Sequence, residues 1–148
     1  MRIVVQRVKE ASCSVDNNIT GEIEKGFLIF IGFKNDDTND DMQKCLRKVV
    51  GLRIFEDENG KMNKSLHDVD GKILAISQFT LYADVKHGNR PSFTEAMQFD
   101  KASIMYDEFV SMLRKEGINV EVGIFGADMK ISLINDGPVT ILIDSTSL

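Results

Sequence analysis

Alternating apolar and polar residues divide most of this chain into short extended segments. Residues 2–8 alternate, with Ile3, Val5 and Arg7 on one side, and a period of two residues is typical of a half-buried strand. A turn at residues 16–18 separates two further strands. The pattern predicts strands at residues 2–8, 11–15, 19–24, 27–33, 72–82, 119–124, 129–135 and 139–144.

Two segments instead have the spacing of amphipathic helices. The first covers residues 38–50, and Asp36, Asp37 and Thr38 supply side-chain oxygens that can cap its start. The second covers residues 94–116 and ends before Gly117. Its buried face is predicted to contain Ala102, Tyr106, Phe109, Val110 and Leu113. Since strands and helices do not alternate regularly, we expect an α+β fold with mixed or antiparallel sheets and two main helices packed on one side.

Length and charge narrow the picture further. With 148 residues, the chain is predicted to form a single domain over residues 1–148. Its net charge of −5 argues against a protein that coats nucleic acid indiscriminately. A local basic patch that holds one end of an RNA is compatible with this charge, although most such side chains are ordinary solvated charges. The candidates are Lys86, His87 and Arg90 in one loop, and Arg2, Arg7 and Lys9 near the start.

Several classes of protein do not fit the sequence. The longest apolar run, residues 27–31, is far shorter than a membrane span, and the first residues do not resemble a signal peptide. Cys13 and Cys45 lack the spacing of metal ligands and are interpreted as reduced thiols of a cytoplasmic protein. The only histidines, His67 and His87, are far apart, and no glycine-rich nucleotide loop occurs. We therefore expect no metal, no cofactor and no membrane partner.

One of the two prolines stands directly after a glycine, between two strand-like apolar runs. Asp136-Gly137 between such runs is typical of a tight hairpin, which is the structural interpretation of this segment. Pro138 has no N–H to donate to a sheet, and the peptide bond before it is of the one type that is readily cis. The local sequence alone does not decide whether this dipeptide also has a chemical role.

The predicted strand at residues 72–82 ends in an unusual polar pattern. Alternation places Ser77 on one face and Gln78, Thr80 and Tyr82 on the other. Because buried polar groups need partners, this strand is predicted to end at a pocket or an interface; the alternative is an edge strand with one solvent-facing side. Thr80 is a candidate nucleophile, but neither histidine is its neighbour in sequence, and a hydroxyl nucleophile ordinarily needs a base.

Two segments carry a resemblance to a known family. Residues 77–81 (Ser-Gln-Phe-Thr-Leu) and 135–140 (Asn-Asp-Gly-Pro-Val-Thr) resemble the two signature motifs of the D-aminoacyl-tRNA deacylases. The similarity extends along nearly the whole chain. It includes residues 6–8, 52–55 with 60–63, 90–93 and 125–129. Each motif alone is weak, but their order and spacing together make the resemblance specific.

The resemblance implies an activity, a location and an assembly. A member of this family hydrolyses the ester that joins a D-amino acid, or glycine, to the terminal adenosine of tRNA. It acts as a cytoplasmic homodimer in proofreading. By the same resemblance, the Gly137–Pro138 bond is cis and reaches into the partner subunit's active site. There its carbonyls meet the substrate's α-amino group and exclude an L side chain.

The resemblance also implies roles for other residues. The RNA's own 2′-hydroxyl assists the reaction and backbone donors stabilise the oxyanion, so that Thr80 and Gln78 shape or polarise the catalytic site. Arg7 holds the partner's Gly-Pro carbonyls, or else forms a surface ion pair. The predicted contacts of the terminal adenosine are Ser77, Phe79, Phe125 and Met129. For Phe125 and Met129, packing in the core is an equally strong interpretation.

Two other functions are compatible with the residues themselves. One is an acyl-ester or amide hydrolase that uses Thr80 or Ser77 as the nucleophile on another substrate. The other is a non-catalytic RNA- or protein-binding domain, which the acidic net charge and the polar strand end make less attractive.

Overall fold

A six-stranded mixed sheet and two helices dominate the structure, a computed structural model that describes residues 1–148. A separate two-stranded ribbon and three short 3₁₀ turns complete it. The elements are β1 (Arg2–Val15), β2 (Asn18–Ile23), β3 (Gly26–Gly32), α1 (Asn39–Gly51), β4 (Phe55–Glu56), β5 (Met62–Lys64), β6 (Lys72–Ser77), α2 (Phe99–Lys115), β7 (Val120–Val122) and β8 (Lys130–Asp144). The expected α+β class is confirmed.

The sheet combines antiparallel and parallel pairs. Its order is β2-β1-β3-β6-β7, and β8 pairs with β1. The pairs that involve β1 are antiparallel, whereas β3–β6 and β6–β7 are parallel. Parallel neighbours need crossover connections, and α1 and α2 lie within the two crossovers. The sheet also curves, so that β2 and β7, the two ends of the strand order, approach each other. A Cβ added to Gly21 of β2 would lie only 2.7 Å from the carbonyl oxygen of Val122 in β7.

The two helices cover one face of the sheet, as predicted. Their buried residues share the main core with Ile3 and Val5 of β1, Ile29 of β3 and Ile73 of β6. The predicted inner face of α2 is entirely buried. Side chains of alternate positions on the same strands, such as Leu28 and Leu74, form a second, smaller core on the opposite face.

The first residues of α1 show why the helix begins where the sequence predicts. Thr38 precedes the helix with extended backbone, and its N–H and hydroxyl both donate to Asp41, at 2.9 and 2.8 Å. Partial burial would raise the pKa of Asp41, but these bonds outweigh burial and lower the pKa to about 2.

The prediction for α2 was wrong at its start: residues 94–98 are not helical, because the Met97 N–H donates to Phe33 and Ala96 pairs with Lys34.

Two strand predictions were also wrong. β6 ends at Ser77, and a 3₁₀ turn, Phe79–Tyr82, takes the place of its predicted last residues. The predicted hairpin at residues 136–137 does not form. Both apolar runs belong to β8, which follows β1 along its length, and residues 136–139 form a bulge opposite Arg7, between the register pairs Val8–Asn135 and Gln6–Thr140. A tight turn is unnecessary because both runs pair with β1 rather than with each other.

Both cysteines, Cys13 and Cys45, are free and buried. Burial raises the pKa of the Cys45 thiol to about 11, so this thiol is protonated at neutral pH. None of the helices combines the length and the apolar character that crossing a membrane requires.

Candidate active site

A cavity of about 500 Å³ lies where β6 ends, close to the start of α2 and the segment before β8. Most of its lining is apolar. This combination of an apolar cleft with a few polar groups is typical of a small-molecule site. The predicted site residues that line it are Ser77, Gln78, Phe79, Phe125 and Met129.

The turn after β6 positions the polar residues at the mouth of this cavity. The Gln78 N–H still donates to Ile31 of β3 at 2.7 Å, and the Ala83 N–H closes the turn on Thr80 at 3.0 Å. Gly32 makes this close packing possible, since a Cβ there would lie 2.8 Å from the Gln78 carbonyl oxygen and 3.1 Å from Leu81. Gly32 was not predicted as part of the site. Its position at the end of a buried strand could have indicated that another segment of backbone packs closely there.

Gln78 and Thr80 form a hydrogen-bonded pair at the rim. The Gln78 side-chain amide donates to the Thr80 hydroxyl oxygen, and this is the only hydrogen bond of the Thr80 side chain. No histidine or carboxylate contacts that hydroxyl, so the structure places no general base beside it. Because a hydroxyl both accepts and donates, Thr80 still has its proton to donate.

Aromatic side chains border the cavity. Phe79 is 56% exposed and packs edge-on against Phe93, with ring centroids 5.0 Å apart. Phe125 packs in the same way against Phe99, also at 5.0 Å, and contacts the core through Tyr106. Phe125 and Met129 both line the cavity and pack against the two cores, so their positions are compatible with both predicted roles, contact with the terminal adenosine and core packing. Phe99 is the first residue of α2 and is 61% exposed; the predicted buried face begins one turn later, at Ala102, so sequence reasoning did not single it out.

Gly137 and Pro138 lie on the bulge of β8 and do not line the cavity. Both are exposed, and the peptide bond between them is cis. Asn135 braces the bulge from one side: its side-chain oxygen accepts from the Val139 N–H, and its amide donates to Thr140, both at 2.9 Å. The bulge thus has a defined shape and presents its backbone outwards.

Arg7 contacts the bulge of its own chain, whereas the predicted contact was with the partner's Gly-Pro carbonyls. Its guanidinium donates to the carbonyl oxygens of Asp136, at 2.9 Å, and Ile54, at 2.6 Å. Arg7 is only 6% exposed and is therefore not a surface ion pair, although the Asp136 carboxylate lies 3.9 Å away. A Cβ on Gly137 would lie 3.2 Å from the guanidinium. The predicted site residues thus form two groups in one chain, one at the cavity and one at the bulge.

Arg2, which sequence reasoning named only as a basic residue, joins the end of the chain to the turn that carries Thr80. It donates to the Leu81 carbonyl oxygen at 2.9 Å and to Asp144 at 2.8 Å, and its guanidinium lies 4.6 Å from the centre of the Tyr82 ring. Partial burial would raise the pKa of Asp144, but hydrogen bonds from Arg2 and Thr146 outweigh it and lower the pKa to about 2. Alternation in β1 did not reveal these contacts.

Comparisons with known proteins agree on one family. The family model described as D-Tyr-tRNA(Tyr) deacylase matches residues 4–144. The D-aminoacyl-tRNA deacylase of Clostridium novyi (strain NT) is 57% identical over 145 residues, 98% of this chain and 97% of that protein. That of Thermotoga petrophila is 53% identical over 148 residues, 100% and 99% of the two chains.

Two solved structures share the fold of this chain. A structure described as the c-Myc DNA Unwinding Element Binding Protein superposes with a TM-score of 0.92 at 40% identity, over 97% of this chain and 98% of that one. A probable eukaryotic D-amino acid tRNA deacylase superposes with a TM-score of 0.82 over 96% and 97% of the chains. Its identity is 19%, so this second likeness concerns the fold alone.

Proposed function

The chain belongs to the D-aminoacyl-tRNA deacylase family and is a hydrolase; from this premise we propose how it cleaves the ester between a D-amino acid and the terminal adenosine of tRNA. Water adds to the ester carbonyl, the bond to the ribose oxygen breaks, and that oxygen takes up a proton. The products are the free amino acid and uncharged tRNA. The observation that carries the proposal is the cavity in which Ser77 and Gln78 lie beside Phe79 and Phe125.

The cavity binds the terminal adenosine. Its volume of about 500 Å³ and its aromatic border suit a planar base, which can stack on an exposed ring. Phe79 provides such a ring, half-buried Phe125 adds a second aromatic wall, and Met129 adds a polarisable contact near the start of β8. Ser77 provides a hydroxyl for the polar edge of the nucleoside.

With the adenosine in the cavity, the ester lies at the rim beside Gln78 and Thr80. The amide of Gln78 occupies one lone pair of the Thr80 hydroxyl, which directs the hydroxyl proton elsewhere. We assign that proton to the ester carbonyl, where it stabilises negative charge as water attacks. The adjacent 2′-hydroxyl of the RNA assists the attack, and Thr80 forms no covalent bond with the substrate.

Replacing Thr80 by alanine should slow deacylation without abolishing it. Loss of one donor to a developing oxyanion reduces the rate by about 100- to 1000-fold, whereas loss of a true nucleophile costs on the order of a million-fold. Single-turnover release of amino acid from D-aminoacyl-tRNA measures the difference, with Thr80→Ser as the matched control. Complete loss of activity, together with an acyl-enzyme trapped on Thr80 in the unmodified protein, would instead identify a nucleophile acting on an ester.

The Gly137–Pro138 dipeptide provides the selection for chirality, and it acts on the cavity of a second copy. Both residues are exposed and lie outside the cavity of their own chain. Enantiomers carry the same groups, so a site that accepts many side chains can distinguish them only at the Cα substituents. Backbone held by Arg7 and Asn135 is rigid enough to occupy the position of an L side chain, and rejection by clash is an effective source of specificity.

A homodimer follows from this arrangement. In the dimer, Arg7 of each subunit orients the bulge that enters the other subunit's site. Exposed apolar residues on the same strand support a covered surface around the bulge: Leu142 is 63% exposed and Ile134 is 50% exposed. Burial of these two side chains against a partner would add apolar area to such an interface.

The same filter predicts the range of substrates. Glycine has no side chain on either face of Cα, so glycyl-tRNA passes a filter that excludes only an L side chain.

A reduced, thiol-containing chain that acts on charged tRNA is suited to the cytoplasm, where we place its proofreading role.

The decisive experiment compares amino acid release from matched D- and L-aminoacyl-tRNAs and from glycyl-tRNA. We expect the D-aminoacyl-tRNA and glycyl-tRNA to be hydrolysed, and the L form at least about 100-fold more slowly, because an unrelieved clash costs several kcal/mol. Equal rates for the two enantiomers would contradict the chirality filter. Turnover of neither enantiomer would contradict the function itself.

A further inference from the structure

The loop between the Phe79–Tyr82 turn and α2 differs in charge from the rest of the protein. Residues 85–93, the basic loop, contain Lys86, His87 and Arg90 and no acidic residue, whereas the whole chain has a net charge of −5. Because the protein as a whole is acidic, its overall charge does not attract anions. A short positive segment can still bind one anionic group or a short anionic chain locally.

The charges of the basic loop are free to bind a partner. Every residue of the loop is exposed. The side chains of Lys86, His87 and Arg90 form no hydrogen bond or ion pair within the protein. Several other surface lysines do pair with carboxylates, namely Lys34, Lys44, Lys64 and Lys130.

The base of the basic loop is fixed to the structure. Asp84 and Ser92 exchange two backbone hydrogen bonds, of 2.8 and 2.9 Å. The Asp84 carboxylate accepts from the Lys86 N–H at 2.8 Å and is thus directed at backbone. The cations therefore project from an anchored platform, which lowers the entropic cost of binding compared with a free tail.

The basic loop ends at the edge of the candidate active site. Phe93, its last residue, packs against Phe79, and Phe79 lines the cavity. A chain that leaves the cavity past Phe79 therefore meets an exposed aromatic ring and then the cations. Aromatic platforms beside a positively charged track are the usual construction for single-stranded nucleic acid.

We propose that the basic loop binds the phosphates of the single-stranded tRNA 3′ end, next to the terminal adenosine in the cavity. The inference rests on the proposed function, because that function places the adenosine at Phe79. Lys86 and Arg90 contact phosphate oxygens, and His87 lies between them in the chain. The loop thereby adds affinity for tRNA that is independent of the amino acid.

The test compares a long and a short substrate. The long substrate is D-aminoacyl-tRNA, and the short one is the same D-amino acid esterified to adenosine, which has no phosphates. The double variant Lys86→Ala/Arg90→Ala should raise KM for the tRNA about 10-fold and leave both kinetic constants for the adenosine ester unchanged. The plot of log kcat/KM against log salt for the tRNA should become shallower by roughly 1.4, the value for two phosphate contacts on a single strand.

A matched control removes the same charge elsewhere. Lys48 and Lys115 are exposed helix residues without partners, and Lys115 lies about 24 Å from Phe99 along α2. Lys48→Ala/Lys115→Ala should leave the salt dependence and KM nearly unchanged. Lys86→Arg/Arg90→Lys keeps the charge and should retain tRNA affinity, and thermal unfolding of each variant checks the fold.

Three results would overturn the proposal. They are an equal effect on both substrates, an effect of the control as large as that of the loop variant, and unchanged tRNA kinetics in the loop variant. The last result would leave the loop available to an acidic protein instead. Failure of the proposed function gives a different result, since the unmodified protein would then hydrolyse neither substrate.

Discussion

Replacing Gly137 by alanine should reduce kcat/KM for D-aminoacyl-tRNA by at least about 100-fold, because a displacement of about 1 Å at a catalytic site can have an effect of this size. Gly137 has φ of +135°, a conformation that L residues rarely adopt. An added Cβ would lie 2.8 Å from the Val139 side chain and 3.2 Å from the Arg7 guanidinium. The bulge must therefore shift, and with it the carbonyls that the proposed function places against the partner's substrate.

The matched control for this prediction is Gly60→Ala. Gly60 also has positive φ, +72°, but a Cβ there meets nothing within 4 Å, and the residue lies in an exposed turn. Both variants thus carry a backbone penalty, while only one alters the bulge. If Gly137→Ala retains the turnover of Gly60→Ala, the backbone filter assigned to Gly137 and Pro138 is wrong.

The comparison of sequence and structure shows which interactions local pattern can predict. Thr38 and the inner face of α2 follow rules that act within a few residues, and both were predicted correctly. The hairpin at Asp136-Gly137 failed because the competing partner, β1, lies more than 120 residues away in sequence. Asp136-Gly137 favours a turn that reverses the chain, but both apolar runs pair instead with β1, a strand of 14 residues.

The candidate active site, like the fold, was predicted from the sequence only in part. The polar pattern at the end of the predicted strand correctly indicated a pocket, although only Ser77 and Gln78 of that pattern line it and the strand geometry was wrong. Assignment of particular residues depended on family resemblance, since the sequence alone left nucleophile and binding roles open. Gly32 and Phe99 were missed because their roles arise from contacts across the sheet and helix. Such contacts have no periodic signal.

Asp37 was predicted only as a capping residue near α1, yet the structure makes it a buried charge. It is 5% exposed and accepts from the Met1 α-ammonium group and, at 2.8 Å, from the Lys34 N–H. Ser145, also buried, accepts from the same ammonium group at 2.8 Å. These contacts join the start of β1 to the residue after β8 and to the segment before α1.

Asp37→Asn should therefore lower the free energy of unfolding by about 3–5 kcal/mol, the usual cost of leaving one member of a buried ion pair uncompensated. For a chain of this length that corresponds to a decrease of roughly 6–20 °C in Tm, at about 2–4 °C per kcal/mol. Urea unfolding measures the change.

Asp36→Asn is the matched control, because Asp36 pairs with Lys34 at the surface and is 77% exposed. Its removal should change stability little, and equal losses in the two variants would show that burial of the Asp37 pair is not what stabilises this corner of the fold.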